Sequence, residues 1–170
     1  MSWWLRALWT AAVGLVTALL ALTFVRLLEM PIELIFDTEL RVRLNRDVHP
    51  RLTPVIGAME ALGIVVAAAL ATAERGTNRF RLTVLAGVLM VAAFVLWLAV
   101  VRPVNGMFAT WMAQSVPVDW QHWHSRWTRG HIASAVLLSG ALVLLLTALT
   151  GPRRVAGLGK RTRSRPDGAL

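Results

Sequence analysis

Charged positions vanish from four long stretches of the chain. Ala7 to Val25 is uncharged for 19 residues, and the apolar run continues through Arg26 toward Met30. Pro54 to Ala73 holds one charge, Glu60, in 20 residues. Leu82 to Val101 holds none in 20 residues, and Ile132 to Leu149 none in 18. A helix that crosses a bilayer requires about 20 mostly apolar residues. The pattern predicts an all-α, integral membrane four-helix transmembrane bundle over residues 1–150, with spans at about 5–29, 54–73, 82–102 and 120–150. Residues 151–170 are rich in Gly, Arg and Pro and are expected to form a disordered basic tail. The first stretch exceeds the roughly 7–15 apolar residues of a signal peptide, and no small-residue cleavage site follows it, so a retained helix is expected. Trp3, Trp4 and Trp9 then fall where indoles anchor at a membrane interface.

The connections differ in kind. Residues 74–81 read as a tight polar turn. In the first connection, about residues 31–53, Phe36, Leu40 and Leu44 recur every fourth residue, while Leu40, Val42 and Leu44 alternate. That pattern suits an interfacial helix and an extended segment equally. The third connection, residues 102–118, contains Pro103, Gly106 and Pro117. Pro31 disfavours helix at Met30 and predicts a break or kink at the end of the first span.

Composition narrows the class further. Hydrophobic residues make up 56% of the chain and charged residues 16%, against roughly 25% charged in soluble domains. A disordered chain, a nucleic-acid-binding domain and an ordinary cytosolic enzyme are excluded. The absence of Cys excludes disulfides, thiolate metal sites and a cysteine nucleophile. The net charge of +9 arises from 17 Arg and one Lys. In a membrane protein this excess reports topology and contact with membrane lipid. An even number of spans places both termini on one side, with ten basic residues there and eight on the other. The positive-inside rule then predicts cytoplasmic N- and C-termini in a bacterial cell membrane.

On this topology the unusual side chains gather on the outer side. They include Glu29, Asn105, Trp111, Asp119, Trp120, Arg126 and all four histidines, His49, His122, His124 and His131. On a helix Trp120, Trp123, Trp127 and His131 share one face. That face either packs as an indole stripe or lines a pocket for a flat aromatic ligand. Asp119 follows Pro117 and suits an N-cap. Arg126 either snorkels to headgroups or lies beside the pocket as a fixed cation. Glu60 lies roughly 10 Å into its span, where an ionisable group is a functional candidate by default. Arg26 is one turn before Glu29 and can pair with it. No metal site is predicted, because His122 and His124 point to different faces and no H-E-x-x-H pattern occurs. Haem ligation through His131 finds no second histidine inside another apolar stretch.

Glu29-Met30-Pro31, Arg102-Pro103-Val104-Asn105, Trp111, Val116-Pro117-Val118-Asp119-Trp120 and Arg126-Trp127-x-x-x-His131 together resemble the anthrone-oxygenase-like family of small four-helix membrane proteins. The resemblance covers about residues 10–150. It implies a four-helix membrane fold, and it maps the family's polar positions onto Asn105, Trp111, Asp119, Trp120, Arg126, Trp127 and His131, with looser matches at Glu29 and Asn45. Many members carry a basic residue shortly after the histidine, where this chain reads Ile132-Ala133-Ser134-Ala135. Fungal members imply oxidation of polyketide anthrones to anthraquinones with oxygen and without a cofactor.

Two functions follow from these readings. One is a cofactor-independent oxygenase acting on a hydrophobic aromatic small molecule. Its candidate bases are His131, Glu60 and Glu29, its candidate donors are Arg126, Asn105 and the indole N–H of Trp120 or Trp127, and Asn105, Trp111, Trp120, Trp123, Trp127 and Asp119 bind the substrate. The other is a non-enzymatic subunit or lipid-interacting helper in which Asn105, Asp119, Arg126 and His131 form a structural clasp. Either way, Asn105, Arg126 and His131 are expected to converge beside Trp127 or Trp120.

Overall fold

The computed structural model describes residues 1–33, 40, 46–47, 49–111 and 117–154. Among them no strand occurs. Helix α1 is Trp3–Glu33, α2 is His49–Ala73, α3 is Phe80–Leu96, α4 is Arg102–Phe108 and α5 is Trp120–Thr150. A π-helical turn, Trp97–Val101, joins α3 to α4. Four helical segments are long and apolar enough to cross a membrane: Trp3–Glu29, Arg51–Ala73, Phe80–Phe108 and Trp120–Thr150. Each packs on its neighbours in the chain, and α5 closes the ring against α1. The protein is an all-α four-helix bundle of membrane-spanning type.

Its surface fits lipid. Val65, Val88, Val95, Val136 and Val143 all lie exposed on the outside of the bundle. The interior instead uses many small residues, with Ala12, Ala86, Ala93 and Ala141 fully buried. Lipid tails are as apolar as leucine, so close helix approach, and not exclusion of water, must hold such a bundle together. Gly63 and Gly140 show the same economy of space: an added Cβ would stand 2.7 Å from Met90 Cε and 3.1 Å from Leu89 Cδ1.

Two helix irregularities have local causes. Pro103 lacks an N–H and its ring crowds the carbonyl one turn back. The π turn immediately before it absorbs this, with the Arg102 N–H reaching the Trp97 carbonyl five residues earlier. Gly130 lets α5 approach this turn, since a Cβ there would lie 3.0 Å from Val101 Cγ2. At Pro31 the expected break is absent and α1 continues to Glu33. Pro31 lies in the last turn, so it removes only one hydrogen bond from a helix about to end.

The end of the bundle that bears the termini is more organised than its sequence suggests. Glu74 is fully buried beyond the end of α2. Its carboxylate accepts from Trp9 Nε1 at 3.2 Å, Thr77 Oγ1 at 3.0 Å and Arg153 Nε at 3.0 Å. Burial alone raises a carboxyl pKa, but these three bonds and the Arg153 charge together hold Glu74 below its ordinary 4.5. Asn78 exchanges hydrogen bonds with Pro152 and Arg154. Arg79 caps α5 by donating to the carbonyls of Leu149 at 3.1 Å and Gly151 at 2.6 Å. Gly151–Arg154, expected as part of the tail, is strapped across the turn, and residues 155–170 lie outside the described residues. Trp3 and Trp4 are exposed, but Trp9, expected beside them at the surface, is buried next to Glu74. The first connection's Phe36, Val42, Leu44 and Asn45 also lie outside the described residues.

Candidate functional site

At the other end, three helices each turn one polar face inward. On α2, Thr53, Ile56 and Glu60 follow at helical spacing, and on α5 Trp127, His131 and Ser134 do so. α1 contributes Leu22, Thr23 and Arg26, while Trp97, Val101 and Asn105 come from the π turn and α4. These residues enclose a cavity of about 30 Å³. Glu60, His131 and Ser134 are buried, and Glu60 Oε2, His131 Nε2 and Ser134 Oγ have no hydrogen-bond partner among the described residues. An unsatisfied polar atom is costly in water-free surroundings, and three of them lie on one small cavity.

The remaining polar groups around it are tied together. Trp127 Nε1 donates to Asn105 Oδ1 at 2.7 Å, and Asn105 Nδ2 donates to Thr53 Oγ1 at 3.4 Å. This chain links α5, α4 and α2. The Trp127 and His131 rings meet edge to face, with centroids 4.5 Å apart and planes at 78°. Arg26 NH1 donates to Glu29 Oε2 at 2.6 Å, which holds the Arg26 guanidinium at the cavity rim.

A larger groove of about 380 Å³ lies alongside, lined by Thr53, Pro54, Trp97, Arg102, Asn105, Gly106 and Ala109. Cavity and groove share Thr53, Trp97 and Asn105 as a common wall. The flat face of Trp97 fits because α2 carries Gly57 opposite it, where a Cβ would stand 3.0 Å from Trp97 Cη2.

The structure brings Asn105, Trp127, His131 and Glu60 together, and leaves the other sequence candidates elsewhere. Arg126 is exposed, with its Cζ 5.8 Å from the Trp123 ring centroid. It lies five residues before His131, and the resulting turn of about 140° carries it to the outside. Arg26 occupies the place expected for Arg126. Glu29 points outward, its side chain 41% exposed and paired with Arg26, so it does not face the cavity. Asp119 stands at the N-cap position of α5, but its carboxylate accepts from Trp123 Nε1 at 2.9 Å and makes no capping bond. Trp120 lies edge-on to His124 at 6.0 Å, and Trp111 packs on Phe108 at 4.7 Å. Trp127 and Phe108 form a closed core with Trp97, Val101 and Val104. The indole stripe is thus mostly packing, and only Trp127 reaches the cavity.

Arg26, Thr53, Trp97 and Ser134 were missing from the sequence-derived site. Ser134 carried a usable signal, since it falls one turn after His131 on the same face. Among the described residues no group of three metal-ligating side chains gathers. No family model, no curated protein and no solved structure matches the chain.

Proposed function

We propose that this protein is an integral membrane enzyme that oxidises a lipid-soluble aromatic substrate at the cavity between Glu60 and His131. The observation that carries this reading is the convergence on one cavity of three buried polar atoms, Glu60 Oε2, His131 Nε2 and Ser134 Oγ, that have no hydrogen-bond partner among the described residues. Ionisable groups at such depth are expensive and cluster at functional sites. The reaction class comes from the resemblance to the anthrone-oxygenase-like family, with the membrane taken as a bacterial cell membrane and the termini as cytoplasmic.

The volumes support a division of roles between cavity and groove. The cavity of about 30 Å³ has room for about two waters, or for dioxygen, and excludes three fused rings. The neighbouring groove has the size of a ligand site. The aromatic lies in the groove against Trp97, with its reactive methylene at the Thr53–Asn105 wall that the groove shares with the cavity.

The chemistry then closes with dioxygen as the co-reactant. His131 or Glu60 removes one methylene proton, leaving a delocalised, phenolate-like anion. The anion gives one electron to dioxygen, and the resulting radical and superoxide combine to form a C–O bond. The peroxide takes up a proton. Loss of the second methylene proton with cleavage of the O–O bond releases water and leaves a carbonyl. Arg26 and the Asn105 amide stabilise the developing oxyanion, and exclusion of bulk water strengthens both interactions.

A structural clasp is the second reading, favoured by the chain of bonds from Trp127 through Asn105 to Thr53. It accounts for those three residues and leaves Glu60, His131 and Ser134 unexplained. The test is product labelling. Purified protein in lipid nanodiscs is given an anthrone under ¹⁸O₂ beside a protein-free control. An enzyme yields quinone with one labelled oxygen at the new carbonyl, well above the control. Formation no faster than the control refutes the reading.

A further inference from the structure

The lipid-facing seam between α2 and α3 contains a second groove, of about 400 Å³, toward the end that bears the termini. Buried Ala67 and Ala71 make its floor, and exposed Val84, Val88 and Val91 make its rim. From Arg75 to Ile64 it runs about 16 Å at the helical rise of ~1.5 Å per residue. That is close to one leaflet of a hydrocarbon core ~30 Å thick. Its lining is apolar except at the Arg75 end, where the exposed Arg75 guanidinium has no ion-pair partner among the described residues. Exposed Arg81 follows on the same turn.

We propose that this groove binds one acyl chain of an anionic phospholipid, with the phosphate seated on Arg75. Small residues on two adjacent helices leave a furrow as long as one leaflet, and a cation stands at headgroup level. Charge selects lipid over a second copy of the chain. A docking helix would have to bring a carboxylate to Arg75, and among the described residues the carboxylate at this level is Glu74, which is fully buried and already holds Arg153. An anionic headgroup supplies that charge, and a basic residue near such a surface favours it about fivefold. The site is independent of the oxidation site, which lies at the opposite end of the bundle.

Native mass spectrometry of the full chain in mild detergent tests this, using phosphatidylglycerol and phosphatidylcholine with identical acyl chains. The expected result is one retained phosphatidylglycerol per chain, at least about fivefold preferred over phosphatidylcholine. Arg75→Gln should abolish the preference while leaving weak binding of both. Gly87→Leu grows into the groove, where the nearest atom to an added Cβ is Ala67 Cβ at 3.7 Å, and should displace both lipids. Equal retention of the two lipids by the unsubstituted chain, or an unchanged preference in Arg75→Gln, overturns the headgroup assignment. A dimer that Gly87→Leu converts to monomer assigns the groove to a second copy instead. Should Gly87→Leu fail to fold, the headgroup comparison with Arg75→Gln still decides.

Discussion

Trp127 Nε1 donates a hydrogen bond to Asn105 Oδ1 at 2.7 Å, joining α5 to α4 across the third connection. Trp127 is 1% exposed, so the bond is shielded from bulk water and losing one partner costs stability. Trp127→Phe should lower stability by about 0.5–2 kcal/mol in thermal melts in detergent. Adding Asn105→Leu should cost less than its effect alone, because the orphaned carbonyl disappears with it. Strict additivity in this double-mutant cycle contradicts the coupling.

Glu74 predicts a pH dependence at the other end. Its folded pKa lies below the ordinary 4.5 of a carboxyl group. Its contribution is therefore fully present above that value and is lost as pH falls through the folded pKa. The melting temperature of Glu74→Gln should fall below that of the unsubstituted chain at neutral pH, and the gap should narrow only under acid conditions, below about pH 4.5. Arg153→Ala should show a smaller version of the same effect, since Arg153 is 40% exposed.

The two candidate arginines should behave oppositely. Arg126→Ala removes an exposed cation and should change stability by less than about 0.5 kcal/mol. Its turnover should match the unsubstituted chain. Arg26→Ala removes the guanidinium at the cavity rim and should lower kcat by about 10²-fold, in the range found for loss of one oxyanion donor. Equal effects of the two substitutions on turnover contradict the placement.

Glycine substitutions probe packing around Trp97. Gly57→Ala puts a methyl 3.0 Å from Trp97 Cη2, and a rigid indole cannot yield as a flexible chain end would. A loss of about 1–3 kcal/mol is expected. Gly14→Ala meets nothing within 4 Å and should gain about 0.5–1 kcal/mol from helix preference. Paired melting curves check both signs.

The spans were legible because a bilayer demands unbroken apolar stretches, and each of the four has its helix. Glu60 was legible for the converse reason, since an ionisable group inside such a stretch must be accounted for, and His131 because it stands at the edge of one on the face of Trp127. Helix rotation was not. A span that is apolar all round carries almost no periodic signal about which face is inside. Arg26 and Arg126 therefore looked alike in sequence, and only the packing of α1 and α5 separated them. The Glu74 cluster was hidden for another reason. Trp9 and Arg153 lie 65 and 79 residues from Glu74, and a carboxylate in a polar turn looks like solvated loop. The π turn before Pro103 follows from proline chemistry, but a kink or break satisfies the same chemistry.

The most direct test of the central claim is anthrone-dependent oxygen uptake by the reconstituted chain and by Glu60→Gln and His131→Ala, each with its melting temperature. Oxidation at this cavity predicts uptake above the protein-free rate for the unsubstituted chain, and a loss of about 10²-fold or more when either proton acceptor is removed from an otherwise folded protein. Uptake at the protein-free rate for all three, with melting temperatures lowered by the substitutions, contradicts it and leaves these residues a purely structural role.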